Sequence, residues 1–378
     1  LVTRNRTRAE RLQATKLRKR RHPGAAATSR RTAAAATALP QLRTSERSSF
    51  KRCRWQWYWG YVEERSPFTP KPALRFGSLI HRALAVYYKP GVRRGPHPAI
   101  TFEKFYEEEL KTQAQFGVRD VDQDDKWVEA GDLGVAMLNN YIDTYGKDDE
   151  WEVLATEKMG SWIVYDPDTF DPNHPPEAQA TAVPLFEYVF TLDGVWRSRR
   201  TKKLWIPDHK TTSANRVDTR YLRLDDQASA YWTWGVDWLY ANGHLKSGQE
   251  LAGMLFNYLR KSAPDDRPRN EKGQCLNKDG SVSKNQPSPY FVRQPVFRDE
   301  YERNETRERA VQEFKDMQAV RAGQAHPYKS PSMMNCPHCW LLDICELHEV
   351  GADYMELVEG TSMVWSPYSD YEIEGERT

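Results

Sequence analysis

Sulfur is scarce in this chain: five cysteines among 378 residues. They are too few and too unevenly spread for a disulfide scaffold, and no secretory apolar segment opens the sequence. The reading is reduced thiols in a cytosol-like compartment, free to bind metal. Long apolar runs are also missing. None approaches the roughly 18 residues a membrane helix needs, and mean hydropathy is −0.81, which excludes an integral membrane protein. Net charge is small as well, +2, but it hides an asymmetry. Residues 1–40 carry eleven Lys or Arg against Glu10 alone, leaving 44 basic and 52 acidic residues elsewhere. The globular part is mildly acidic, and the basicity lives in one tail.

What is present suggests chain enough for roughly two domains at about 150 residues each, with no internal repeat. Residues 1–40 hold Lys16, Arg18, Lys19, Arg20 and Arg21, then an Ala/Thr/Ser stretch with almost no large apolar residue. Such a segment buries too little to offset chain entropy, so it reads as a disordered basic tail. An organellar transit peptide, a nucleic-acid-binding arm and a plain solvated tail all fit its composition. From Ser45 the chain turns aromatic and helical. A helix is expected over Leu74–Tyr88, with Gly77 and His81 one turn apart, and more helix over 101–147. Short strands follow at Glu152–Glu157, Trp162–Tyr165, Leu185–Trp196 and Lys203–Lys210. A helix over about Asp226–Tyr240, a buried strand over Leu251–Leu259, a polar surface insertion over 262–290 and a charged helix over about 299–322 complete the order. The succession suggests one α/β domain with a helical elaboration.

The strongest local signal is Leu204-Trp205-Ile206-Pro207-Asp208-His209-Lys210. In a strand, Asp208 and Lys210 share a face, and Pro207 argues for a bulge or an edge there. A hairpin with the preceding strand brings Asp193 to the same place. Two carboxylates around a hard divalent cation, with an ammonium beside them, can activate water and neutralise charge at a phosphodiester. Alone, Asp-x-Lys is more often an exposed ion pair. His81 and the helical pair Gln227 and Tyr231, at i and i+4, read separately as core residues. The cysteines form a second constellation: Cys336-x2-Cys339-x5-Cys345. Three thiolates need a fourth ligand for zinc or for a cubane cluster. Cys53 is the obvious one because Cys275 lies in the polar insertion, while His338 inside the C-x2-C loop is a strained alternative.

The order of these motifs — an N-terminal Cys, G-x-x-x-H, Asp, D-x-K, Q-x-x-x-Y, then C-x2-C-x5-C — resembles the PD-(D/E)xK nuclease superfamily. The likeness is to its RecB-like branch with an iron–sulfur cluster, to which the AddB nuclease domain and the CRISPR-associated adaptation exonucleases belong. It covers about Ser45–Cys345. The resemblance implies a restriction-endonuclease-like core, a central mixed sheet flanked by helices, with a helical elaboration and a cluster-stapled C-terminal segment. The nuclease domain would span 41–350, with an acidic segment at 351–378.

On this likeness His81, Asp193, Asp208 and the backbone carbonyl of His209 would ligate Mg2+ or Mn2+. Lys210 would position the attacking water, and Gln227 and Tyr231 would orient the active site and the DNA backbone. Glu157 is open to either a further carboxylate or a surface strand residue. Cys53, Cys336, Cys339 and Cys345 would hold a structural 4Fe–4S cluster. Leu192 stands where the family name expects Pro, and Phe190-Thr191-Leu192 where the branch often has Gly. The implied activity is a metal-dependent DNA exonuclease acting on single strands or duplex ends in recombination, repair or CRISPR-adaptation-like processing. The implied setting is the cytoplasm of a bacterial or phage-infected cell. With no Walker A motif, any helicase or recombination function belongs to a partner. Arg197, Arg199, Arg200, Lys202 and Lys203 are candidate DNA-backbone contacts. Trp232 and Trp55 could stack bases, though core packing suits each better. The competing readings are a catalytically silent iron–sulfur DNA-binding scaffold and a zinc-binding interaction module.

Overall fold

The computed structural model describes residues 39–68, 72–116, 121–169, 181–246, 248–249 and 251–368. The expected basic tail up to Ala38 and the last ten residues of the acidic segment lie outside them. The chain divides into two units, one of residues 1–69, 163–187 and 308–378, the other of residues 70–162 and 188–307.

In the second unit three helices come first: α3 (Pro72–Tyr87), α4 (Pro98–Phe116) and α5 (Val121–Tyr145). The earlier helices α1 (Thr44–Arg52) and α2 (Arg54–Trp57) belong to the other unit. Phe76, Leu79, Ile80, Ala83, Leu84 and Tyr87 recur at three- and four-residue spacing along α3 and enter one core cluster, as an amphipathic helix requires. Helices α4 and α5 approach closely where α5 has no side chain. A Cβ on Gly134 would sit 2.1 Å from the Phe102 ring.

The sheet runs β3 (Trp151–Tyr165), β4 (Pro184–Ser198), β5 (Leu204–Thr212), β6 (Leu251–Arg260), β7 (Phe291–Val296), hydrogen-bonded in that order. β5 pairs antiparallel with β4 and parallel with β6, and β7 is antiparallel to β6. This is the expected mixed sheet with helices on it; Leu255, Leu259 and Trp196 join the helical core cluster.

Three local features depart from the sequence expectation. The two short strands at 152–165 are one strand, β3, interrupted by a positive φ of 45° at Glu157. Pro207 lies in a central strand, not at an edge, and the register shift falls at Leu204/Trp205. The insertion at 262–290 is mostly exposed, as expected, but carries its own framework. Cys275 is fully buried there, bridged to Arg269 and hydrogen-bonded to Gln286. The strand β7 that follows the insertion was not anticipated.

In the first unit β1 (Gln41–Leu42) leads into α1 (Thr44–Arg52) and α2 (Arg54–Trp57), the latter continued by a π-turn at Tyr58–Val62. Cys53 separates the two helices in an extended conformation. β2 (Arg65–Pro67) pairs antiparallel with β8 (Ser362–Val364). The second half of α8 (Glu300–Arg321), α9 (Leu342–Glu349) and α10 (Met355–Thr361) complete the unit. Its core gathers Trp55, Trp59, Leu341, Ile344 and Val358, with Cys53, Cys339 and Cys345 packed against them. Residues 352–368 therefore fold into this unit through Val358 and β8. Glu46, fully buried, is satisfied by Trp57 Nε1 at 3.0 Å, by Arg321 at 2.8 Å and by the Tyr368 hydroxyl. A buried carboxylate survives only with such partners.

Candidate active site

The site forms where the β4–β5 hairpin opens. Backbone pairing between these strands is confined to Trp196–Trp205 and Arg197–Leu204. Alternate amides of a strand face alternate neighbours, so positions 205, 207 and 209 of β5 face β4. Pro207 has no N–H to give, and the amide of His209 donates to Asp193 Oδ2 at 2.7 Å. Gly194 makes room for the close approach, because a Cβ there would lie 3.0 Å from Pro207 and 2.9 Å from Trp196 Nε1. Sequence alone suggested that Pro207 disturbs pairing; the structure places the disturbance inside the sheet, with a carboxylate replacing the lost ladder.

Helix α3 supplies His81, whose Nδ1 lies 3.3 Å from Asp193 Oδ2. Gly77, one turn earlier, lets the helix lie against β5: its Cβ would sit 3.3 Å from Thr211 Oγ1. Burial opposes charge on both partners, yet their mutual attraction prevails. The His81 imidazole is pushed up to about 9 by Asp193 against its own desolvation. Asp193 is held well below the usual carboxylate range, because His81, His209 and Lys210 outweigh its burial.

Asp208 behaves in the opposite sense. It is fully buried, and burial, with Asp193 adding to it and Lys210 opposing, pushes its carboxyl up to about 6. Lys210 Nζ lies 2.7 Å from Asp208 Oδ2 as an ion pair without hydrogen-bond geometry, so Oδ2 has no hydrogen-bond donor.

Gln227 and Tyr231 finish this side. Gln227 Oε1 accepts from Lys210 Nζ at 2.6 Å, while its Nε2 donates to Asp208 Oδ1 at 3.1 Å and to the Tyr231 hydroxyl at 2.8 Å. Tyr231 in turn donates to the carbonyl of Thr191 at 2.7 Å, two residues before Asp193. One side chain thereby fixes both members of the D-x-K pair. Gln227 sits on α6 (Asp226–Ala230), capped by Asp225, and Tyr231 opens a π-turn (Tyr231–Gly235) before α7 (Val236–Ala241). Such turns recur at functional sites.

Behind β5, His209 turns its ring into the protein. Burial drives the imidazole down to about 3, so it is neutral, and its Nδ1 accepts from Asn257 Nδ2 at 2.9 Å. Asn257 also reaches Tyr141 at 3.0 Å, and Tyr141 meets Tyr88 at 2.7 Å. Arg293 and Asp148 close this network through paired bonds of 2.9 and 2.6 Å. None of this supporting shell was read from the sequence. Asn257 as the lone polar residue within the apolar run Leu251–Leu259 was the available signal.

The residues fit a divalent cation. His81, Glu157 and Asp193 offer ligand atoms within 4.8 Å of one another, a nitrogen-and-carboxylate set suited to Mg2+ or Mn2+. Glu157 reaches this place from its kinked backbone on β3. Asp208 adds a buried carboxylate whose Oδ2 lacks a donor, so nearby positive charge would lower its cost.

Other expectations divide. His81, Asp193, Asp208, Lys210, Gln227 and Tyr231 come together. Trp55 and Trp232 are buried, in line with core packing and against the base-stacking alternative. Of the basic hairpin, Arg197 pairs with Glu152 at 3.3 Å and Arg199 donates to the Asp149 carbonyl, both at the paired end of the β4–β5 hairpin.

The PD-(D/E)XK nuclease superfamily model matches residues 42–346, and the chain belongs to that superfamily. Among curated proteins none matches it. A solved structure from Eubacterium rectale, provisionally named an exonuclease, is similar at 10% identity and a TM-score of 0.41, over 80% of this chain and 87% of that one. Among the described residues no helix is long and apolar enough to cross a membrane.

Proposed function

We propose that the protein is a metal-dependent DNA exonuclease that hydrolyses phosphodiester bonds of single strands or duplex ends. The carrying observation is the single cluster in which His81, Glu157 and Asp193 converge beside an Asp208–Lys210 pair fixed by Gln227. His81, Asp193 and Asp208 hold Mg2+ or Mn2+, joined by Glu157 and the His209 carbonyl. A cation bound there supplies Lewis-acid polarisation of the phosphodiester and acidifies water. Lys210 carries three donors; Gln227 Oε1 accepts one while Asp208 pairs with the charge, which leaves N–H groups to meet a water or a phosphate oxygen. Its charge then faces the negative charge that builds on the phosphate oxygens. Tyr231 and Gln227 keep the ammonium aimed, which spares reorganisation during the reaction.

The cysteine constellation supports a 4Fe–4S reading within the RecB-like branch. Cys53 lies at the α1–α2 break, Cys336 and Cys339 at the ends of a short 3-10 turn and Cys345 on α9, and none is joined in a disulfide. The Cys345 thiol is pushed up to about 11, by burial first and by Cys339, Cys53 and Cys336, against Lys329. A thiol that burial and three neighbouring cysteines hold protonated is compatible with a cationic guest that would favour its thiolate. The pathway proposed is recombination, repair or CRISPR-like DNA processing, with helicase activity left to a partner.

The test is anaerobically purified protein on end-labelled single-stranded and duplex DNA with Mg2+ or Mn2+, beside Lys210→Ala. Wild type degrades DNA only with metal, and the variant is slower by about 10²–10³-fold. Equal cutting by both proteins refutes the site. Binding by both without cutting leaves the iron–sulfur scaffold reading in its place.

A further inference from the structure

Between β5 and α6 the chain makes one 3-10 turn, Arg220–Arg223. It is clamped from beneath. Leu222 is buried, and the buried Arg298 guanidinium donates to the Leu222 carbonyl at 2.6 Å. Around that anchor the turn exposes apolar surface: Tyr221 is 53% exposed and Leu224 76%. A single exposed apolar side chain is ordinary, but this one is connected to the active site. The Tyr221 hydroxyl lies 3.4 Å from that of Tyr258. The parallel β5–β6 register sets Tyr258 beside Lys210 and Phe256 beside Asp208, and residues two apart on a strand share a face. Tyr258 stacks on Phe256 with centroids 6.0 Å apart, and the Lys210 ammonium lies 5.9 Å from the Phe256 centroid. A row of rings therefore begins at the D-x-K pair and emerges into solvent at Tyr221.

The flanking charges suit the same occupant. Arg220 and Arg223 stand on either side of Tyr221, paired with Asp218 and with Glu302 at 3.3 Å in exposed ion pairs. Exposed pairs of this kind are worth little and exchange readily for a phosphate.

We infer that Tyr221 is a stacking platform for an unpaired base next to the phosphodiester held at Asp208 and Lys210. Arg220 and Arg223 meet the neighbouring phosphates. The inference rests on the nuclease reading and narrows it. A base must leave its own stack to lie on Tyr221, so the site selects single-stranded or frayed ends over blunt duplex.

Wild type, Tyr221→Ala, Tyr221→Phe and Tyr221→Trp are compared in two assays. In the first, a single-stranded oligonucleotide carrying 2-aminopurine near one end is titrated with divalent metal chelated, and probe quenching reports stacking. In the second, cleavage of single-stranded and blunt duplex DNA is measured with Mn2+. Tyr221→Ala should lose quenching, bind about tenfold more weakly and lower the single-strand to duplex cleavage ratio about tenfold, one stack's worth. Tyr221→Phe and Tyr221→Trp keep all three. Unchanged quenching and cleavage ratio in Tyr221→Ala overturn the platform while leaving the nuclease intact. Tyr221-dependent quenching without any cleavage by wild type sinks the nuclease and leaves the platform standing.

Discussion

Two clusters of ionisable groups in this molecule meet the cost of crowding in opposite ways. In the D-x-K cluster each charge has a built-in complement: His81 faces Asp193, and Lys210 faces Asp208. In the cysteine cluster four thiols share one region, and the nearby Lys329 ammonium donates to the Cys345 carbonyl and to Glu349. The first is arranged to persist with or without its cation. The second has little internal compensation once its thiols ionise, and on our reading it depends on its guest. A cluster that pairs its own charges can release and reload a ligand; one that cannot is tied to it.

The sharpest way to break that comparison is at the cysteines. Cys345→Ser should abolish bound iron and visible absorption and lower the melting temperature by more than any change at the D-x-K site. Iron content and calorimetry decide it; retained iron would refute the four-cysteine reading. A smaller effect is expected at the close approach of α4 and α5. Gly134→Ala drives a methyl into the buried Phe102 ring and should destabilise by about 1–3 kcal/mol, measured by urea unfolding, leaving the metal site intact. The smallest effect carries the finest information. Glu157→Gly relieves a left-handed backbone that costs a β-carbon residue about 1–2 kcal/mol, partly offset by the greater freedom of unfolded glycine. The metal-free protein should gain about 1 kcal/mol at most, while the Mn2+-induced rise in melting temperature shrinks. Loss of stability together with an undiminished Mn2+ shift would remove Glu157 from the ligand set.

The sequence was most informative where chemistry and period coincide. Asp208 and Lys210 alternate on one strand, Gln227 and Tyr231 repeat on one helix, and His81 sits one turn from a glycine. Each can be read without knowing its neighbours. What escaped depends on how strands meet. Pro207 reads as a bulge or an edge residue because it lacks a donor, yet a central strand tolerates it where the opposite strand offers a side-chain carboxylate in place of a ladder. Glu157 reads equally as a further carboxylate or a surface strand residue, because alternation carries no sign of the reversed φ that decides between them. The π-turn at Tyr231 is invisible because one residue of extra helical circumference leaves composition unchanged. Cys53 was legible as a ligand candidate but not as the break between two helices. β7 was missed because Arg293, Gln294 and Pro295 interrupt its apolar pattern, although Arg293 anchors the network behind His209.

The amide of His209 acts as a gauge. Its proton is directed to the side chain of Asp193, while Pro207, the other position aimed at that gap, carries no proton at all. In an NMR spectrum the resonance of residue 209 would therefore follow the electronic state of that carboxylate, moving as a cation binds. Its solvent exchange would quicken when Asp193 lets go. A backbone position at the centre of the sheet thus gives the protein a native spectroscopic label for occupancy of its own site, without a probe attached and without turnover.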